Sequence, residues 1–393
     1  MGKITSIRTV AIRTVAWPRV AGFAMAALLA GPGTSFAQAI ATEARTALIV
    51  DFDTGATLMD KAGEERMPPA SMSKLMTAYQ TFVFLKENKA TLEDTLPVSE
   101  KAWRTGGSKM FVPVHGRVKI DDLLKGMIIQ SGNDACIVLA EGLGGSESAF
   151  VDMMNETAKK IGLTGSHFSN VTGLPDAQHY MTARDLITLS KRLLDDFPEY
   201  HHYDWEKEFT YNGIKQGNRN PLLYKDLGAD GMKTGHTDEA GYGLTASVVR
   251  GDRHILMVLS GMKTMKVRAQ ESERLIEWAF REFNSYKLVK AGETLDEATV
   301  WLGTEPKVPV TTKADAVVTL ARKSRKDMKV TAVYDGQIKA PVAKGATVGK
   351  LVVTAPDMKP VEFPLVAAQS VDRLGVVGRV ATAAGYLVWG KRN

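Results

Sequence analysis

The chain has 393 residues, 44% of them hydrophobic and 24% charged, a globular balance in a length that calls for two domains rather than one core. Its one cysteine, Cys136, excludes an internal disulfide and a cysteine metal cluster, and reads as a small buried hydrophobe. The formal charge of +6 is confined to the two ends, with Lys3, Arg8, Arg13 and Arg19 at one and Arg373, Arg379, Lys391 and Arg392 at the other, so the body offers no footprint for nucleic acid.

In chain order, the basic N-terminal residues precede an apolar run from Val20 to Ala30 and the small-residue stretch Ser35-Phe36-Ala37-Gln38-Ala39. Residues 1–39 therefore read as an export signal cut after Ala37 or Ala39, with a run too short to span a bilayer, and the competing reading is an uncleaved anchor. Residues 46–58 predict two strands around an Asp53-Thr54-Gly55 turn, and after Pro68-Pro69 a helix is expected to start near Ser71. Helical periodicity fills residues 121–195. From Gly231 to Gly261 strands return, with Leu244–Val249 and His254–Leu259 joined by a hairpin signal, and a helix follows over 268–283. This order predicts a mixed α/β (α+β) unit with an antiparallel sheet over residues 40–284. Short β-rich pieces then alternate with turns, giving a small all-β domain over 285–367. Residues 368–393 read as an amphipathic helix, with Leu374, Val377, Ala381, Ala384 and Val388 on one face. It suits the membrane interface, apolar face down, and the competing reading docks it on the β domain.

Three short motifs carry candidate chemistry. Ser71-Met72-Ser73-Lys74 puts a hydroxyl and an amine on one helical face, and a lysine whose charge is suppressed by burial can take a serine proton. A second copy, Ser260-Gly261-Met262-Lys263, falls at a strand end, where the two side chains diverge. Ser131-Gly132-Asn133 lies in a break between helical segments, presenting a hydroxyl and an amide to a cleft or simply capping a helix. Lys233-Thr234-Gly235-His236 reads as a strand on which Gly235 admits a ligand to the backbone.

Together these motifs form the serine-lysine signature of penicillin-binding proteins and class A β-lactamases. The chain resembles the low-molecular-mass penicillin-binding proteins that act as D-alanyl-D-alanine carboxypeptidases. The likeness extends through Pro69-Ala70-Ser71, Gln130 to Cys136, Asn218-Arg219-Asn220 and Asp230 to Thr237, and covers essentially the whole mature chain. Gly132 stands where the wider superfamily has Asp, as in the carboxypeptidase branch.

The resemblance implies a penicillin-binding/β-lactamase-like transpeptidase domain, then the β domain and terminal helix. It implies that Lys74 deprotonates Ser71, that Ser71 attacks the carbonyl between two D-alanines, and that the N–H groups of Ser71 and His236 hold the oxyanion. Ser131, polarised by Lys74 and Lys233, passes a proton to the leaving amine. Asn133, Lys233, Thr234, Gly235, His236, Arg219 and Arg268 form the substrate site, with Thr234, His236 and Arg268 on the terminal carboxylate. Lys263 competes with Arg268, which is preferred because guanidinium grips carboxylate bidentately. The expected partners are peptidoglycan stem peptides ending in D-Ala-D-Ala and β-lactams as covalent inhibitors, with the protein exported to the periplasmic face of the cytoplasmic membrane.

A β-lactamase would use the same serine, but the Asn170–His179 loop holds Asp176 and no Glu to drive deacylation. Endopeptidase or transpeptidase action would also use this serine and differ in which peptide enters. A non-catalytic wall-binding scaffold would be signalled by loss of Ser71 or Lys74, and both are present. Gly241-Tyr242-Gly243 mimics a dinucleotide fingerprint but leads into a strand, and no cofactor is expected. The seven histidines show no ligand spacing, so no metal is expected.

Overall fold

The computed structural model describes residues 6–9 and 40–389, apart from 335 and 337. The export-signal features and both cleavage positions lie outside the described residues, as do Lys391 and Arg392. Within the expected leader, the described Ser6–Thr9 forms a strand paired with Lys329–Tyr334. The chain divides into one unit over residues 40–281 and a second comprising 1–39 and 282–393.

The first unit is built on a five-stranded antiparallel sheet. Its strands are β1 (Thr46–Asp51), β2 (Thr57–Lys61), β3 (Ala229–Thr237), β4 (Gly241–Arg250) and β5 (Arg253–Met262), in the spatial order β2-β1-β5-β4-β3. The apolar run Ala47-Leu48-Ile49-Val50 is buried along its whole length, as a central strand covered on both faces must be. Strands β4 and β5 turn at Gly251, whose φ of 61° is open to glycine at no steric cost. Strand β3 lies at an edge of the sheet.

Between β2 and β3 the chain forms helices α1 (Lys74–Lys86), α2 (Ile120–Ile128), α3 (Asn133–Gly144), α4 (Glu147–Lys160) and α5 (Ala183–Asp196), and α6 (Met265–Glu282) follows β5. Helix α1 is buried nearly all round, from Lys74 through Phe82, and so has little amphipathic character. Leu75, Met76, Phe82, Leu123, Met127, Leu139, Phe150 and Met154 form one core around it. Each large side chain there contributes roughly 1.5–3 kcal/mol by leaving water. The helix expected to begin near Ser71 starts as a 3-10 turn, Ala70–Ser73, and becomes α-helical at Lys74.

The second unit carries a seven-stranded sheet and the strand pair Phe283–Val289 with Ala316–Ala321. Val308, Val310, Val318, Leu320, Leu351, Val353 and Leu365 alternate inward to fill its core. A terminal helix, Val376–Trp389, follows. Val376, Val377 and Val380 on it are 68%, 84% and 65% exposed, so these residues are not docked on the β core. Among the described residues, no helix is long and apolar enough to cross a membrane.

Candidate active site

The Pro68-Pro69 break ends in Ala70, held at φ 49°, and the 3-10 turn after it leaves Ser71 partly exposed while Lys74 begins the buried helix. Lys74 Nζ lies 2.7 Å from Ser71 Oγ and 2.8 Å from Asn133 Oδ1, and donates to the Thr172 carbonyl. These partners are a hydroxyl, an amide oxygen and a peptide carbonyl, and none is a carboxylate. Burial lowers the Lys74 amine to about 8, and the charge of Arg219 adds to this. A neutral amine has two N–H groups and one lone pair. It can therefore donate to Asn133 and Thr172 while accepting the Ser71 proton, which is the arrangement of a base.

Asn133 is oriented by its own neighbours. Its Nδ2 donates to the Gly106 carbonyl at 2.8 Å, which turns its oxygen toward Lys74, and its N–H donates to the Ser108 carbonyl. Next to it, buried Asp134 accepts the N–H groups of Met110, Phe111 and Val112 and so fastens the 106–112 loop to the start of α3. Helix α3 has Gly132 as its N-cap with no side-chain capping bond, so neither Ser131 nor Asn133 is a capping residue. Ser131 sits in the break between α2 and α3 at φ 67°, and its buried hydroxyl has no hydrogen-bond partner.

Strand β3 brings the third motif against the first. A side-chain carbon on Gly235 would lie 2.9 Å from the Pro69 carbonyl and 3.1 Å from the Met72 nitrogen. The strand thus runs directly along the Ser71 turn. Lys233 is 2% exposed, donates to the Thr234 carbonyl at 3.3 Å, and is pushed well below its usual range by burial and then by Lys74. Thr234 is buried, and exposed His236 packs its ring 3.9 Å from that of Tyr242. Arg268 is buried on α6, donates to the Arg219 carbonyl at 3.1 Å and lies over the Tyr242 ring. Burial lowers its guanidinium to about 10. Exposed Arg219 donates to Ser108 Oγ at 2.6 Å. Lys263 is exposed, and Ser260 is buried in β5 opposite Thr46, so the second Ser-x-x-Lys copy does not form a pair like the first.

Ser71 and Asn133 thus both contact Lys74, β3 adjoins the Ser71 turn, and Arg219 and Arg268 share a contact. Sequence reasoning missed Thr172, whose contribution is a backbone carbonyl, and Ser108 and Tyr242, which support the arginines. The Thr105-Gly106-Gly107-Ser108 turn signal was the available hint for that loop. Among the described residues, no group of His, Cys, Asp and Glu could hold a metal.

A mixed helix-and-sheet unit with a serine-lysine pair at its central helix, followed by an all-β domain, defines the penicillin-binding-protein class of fold. The family pattern described as peptidase S11, D-alanyl-D-alanine carboxypeptidase, matches residues 33–264, and that described as the C-terminal domain of penicillin-binding protein 5 matches residues 283–373. D-alanyl-D-alanine carboxypeptidase DacC of Escherichia coli K12 is 39% identical over 351 residues, 87% of this chain and 88% of that protein. The structure is similar to penicillin-binding protein 5 from Haemophilus influenzae, with TM-score 0.77, 35% identity and coverage of 85% of this chain and 99% of that one. It is also similar to the carboxypeptidase DacD from Francisella tularensis, with TM-score 0.75, 29% identity and coverage of 89% and 98%. The chain belongs to the D-alanyl-D-alanine carboxypeptidase family and is a serine D-alanyl-D-alanine carboxypeptidase, a hydrolase.

Proposed function

We propose that Ser71 is the nucleophile and Lys74 its general base, acting on peptidoglycan stem peptides that end in D-Ala-D-Ala. The observation that carries this is the 2.7 Å approach of a buried lysine amine to a partly exposed serine hydroxyl. Ser71 Oγ attacks the carbonyl between the two D-alanines as its proton passes to Lys74 Nζ. The N–H groups of Ser71 and His236 hold the oxyanion, each such donor contributing a few kcal/mol. As the C–N bond breaks, the proton taken up by Lys74 passes through the Ser131 hydroxyl, polarised by Lys74 and Lys233, to the amine of the leaving D-alanine. Water then hydrolyses the acyl ester and frees the shortened peptide. The unpaired Ser131 hydroxyl and Arg268 Nε are polar groups whose hydrogen bonds a bound substrate would complete. Thr234, His236 and Arg268 take the terminal carboxylate, Arg219 lines the approach, Asn133 meets the peptide, and Gly235 lets it reach the strand.

A β-lactam presents the same acyl group in a ring, so it acylates Ser71 and leaves slowly. Penicillin-binding protein D2 from Listeria monocytogenes, 29% identical with TM-score 0.57 over 61% of this chain and 98% of that one, has been solved in an ampicillin-bound form. The loop that would have to hold a deacylating base carries exposed Asp176, whose carboxylate accepts the Gln178 N–H.

We place the mature protein outside the cytoplasm, on the periplasmic face of the membrane. Residues 1–39 are its removable leader, 40–284 the catalytic domain, 285–367 a β domain and 368–393 the membrane-associating segment, whose helix begins at Val376. The exposed valines of the helix Val376–Trp389 support this. The test of function is D-alanine release from a stem pentapeptide. Wild type should release one D-alanine per peptide, and Ser71→Ala and Lys74→Ala should release none above background. Equal release by Ser71→Ala would overturn the assignment.

A further inference from the structure

A cluster of charged groups separate from the Ser71–Lys74–Asn133 contacts bears on β3. His201 precedes the short helix His202–Trp205, and its ring sits between two carboxylates. Nδ1 is 3.1 Å from Asp204 Oδ2 and Nε2 is 3.1 Å from Asp230 Oδ2. All are largely withdrawn from water, with side chains 14%, 11% and 25% exposed. A neutral imidazole has one N–H, so one nitrogen would turn a lone pair on a carboxylate, and only the imidazolium satisfies both.

Asp230 occupies an unusual place. The β3–β4 register shifts between Ala229 and Gly231, so Asp230 is the extra residue of a bulge at the start of an edge strand. A bulge reverses the facing of every later side chain, which makes its position decisive for Lys233. The strand also passes close to the short helix here, since a side-chain carbon on Gly231 would lie 3.0 Å from Asp204 Cβ. Asn220 adds a second tie by donating to the Gly231 carbonyl at 2.8 Å.

We infer that His201 is a positioning residue for the carboxypeptidase reaction: its cation, clamped between Asp204 and Asp230, fixes the bulge that opens β3 and thereby sets Lys233 in the site. The inference rests on the role proposed above for Lys233.

The charged groups facing the cluster are few. Asp204 comes from the short helix that His201 precedes. Asp230 and, on the Asp204 side, Lys233 come from β3. Behind Asp230, His254 of β5 bonds Ser247 of β4 at 2.7 Å and is held below its usual range by burial. Burial alone would lower His201 as well, but the hydrogen bonds to Asp204 and Asp230 outweigh this and bring it up to about 9. Above that pH two buried carboxylates face each other with no cation between them.

The experiment measures kcat/KM for D-alanine release from an N-acylated D-Ala-D-Ala peptide between pH 6 and 10, on wild type, His201→Gln, the double variant His201→Gln/Asp204→Asn, and Lys233→Ala. Wild type should show a falling limb near pH 9. His201→Gln should lose about tenfold or more at neutral pH, because displacements of about 1 Å cost up to about a hundredfold. The double variant, which has the native net charge of the cluster, should recover most of this and lack the falling limb. Wild-type rates in His201→Gln, or an unchanged alkaline limb in the double variant, would overturn the inference. Full activity of Lys233→Ala would remove the reading beneath it as well, whereas an inactive Lys233→Ala beside an unaffected His201→Gln would remove this inference alone. If His201→Gln does not fold, imidazole nitrogen NMR of the wild type decides, since deprotonation of His201 below pH 7 contradicts the clamp and deprotonation in step with the alkaline loss of activity supports it.

Discussion

Gly235 passes so close to Pro69 that a side-chain carbon there would lie 2.9 Å from the Pro69 carbonyl oxygen. The obstacle is backbone, which cannot swing aside as a flexible side chain would. Gly235→Ala should therefore push β3 away from the Ser71 turn and separate the His236 N–H from that of Ser71. The expected result is a loss of at least about a hundredfold in the rate of penicillin acylation, the scale of removing one oxyanion donor. Stopped-flow acylation with labelled penicillin, with a thermal melt to show the fold intact, checks this.

The pH dependence follows from Lys74. The base is the neutral amine, and burial brings that lysine to about 8. Below that pH the protonated fraction grows, so the acylation rate should fall about tenfold per unit as pH drops from 7 to 5 and rise to a maximum between about pH 8 and 9. Acylation rates across pH 5–8.5 test the sign. A rate that rises on acidification would contradict a lysine base.

Much of the site was legible because its key side chains lie in short linear motifs. Ser71 and Lys74 are one helical turn apart, and Asn133 and Gly235 stand in strings whose composition is informative by itself. The rest depends on distant segments. Thr172 lies 98 residues from Lys74 and offers a backbone oxygen, which any residue could supply. Asp134 carries no signal of its role in the sequence, and only the fold brings Met110, Phe111 and Val112 to it. The His201 cluster joins a segment near residue 200 to a strand 29 residues later, and the bulge that gives it meaning leaves no periodicity to read. In the fold, alternation and turn residues gave the hairpin of β4 and β5. Helix α1, buried nearly all round, shows little helical periodicity.

Asp134→Ala should destabilise the protein without touching Ser71. It strands backbone N–H groups at the end of the loop that carries Ser108, at a cost of at least about 2 kcal/mol. For a domain of this size that lowers the melting midpoint by roughly 4–8 °C. Acylation should slow too, because Asn133 loses the loop whose Gly106 and Ser108 carbonyls orient it. Calorimetry and acylation rates on one preparation check both.

The terminal helix separates location from chemistry. Removing residues 375–393 should abolish sedimentation with phosphatidylglycerol vesicles and leave D-alanine release from a soluble peptide within about twofold of wild type. Raising the salt should weaken vesicle binding of the full chain, as Arg379 and the basic end act through screened charge. Equal sedimentation of the truncated protein would assign membrane contact elsewhere.

The claim that Ser71 carries the acyl group is tested most directly by intact-mass spectrometry of the mature protein after incubation with benzylpenicillin, beside Ser71→Ala. A stable increment of one penicilloyl group on wild type and none on Ser71→Ala is the predicted result. An adduct that persists on Ser71→Ala, or drug hydrolysed rapidly by wild type with no adduct accumulating, would contradict it.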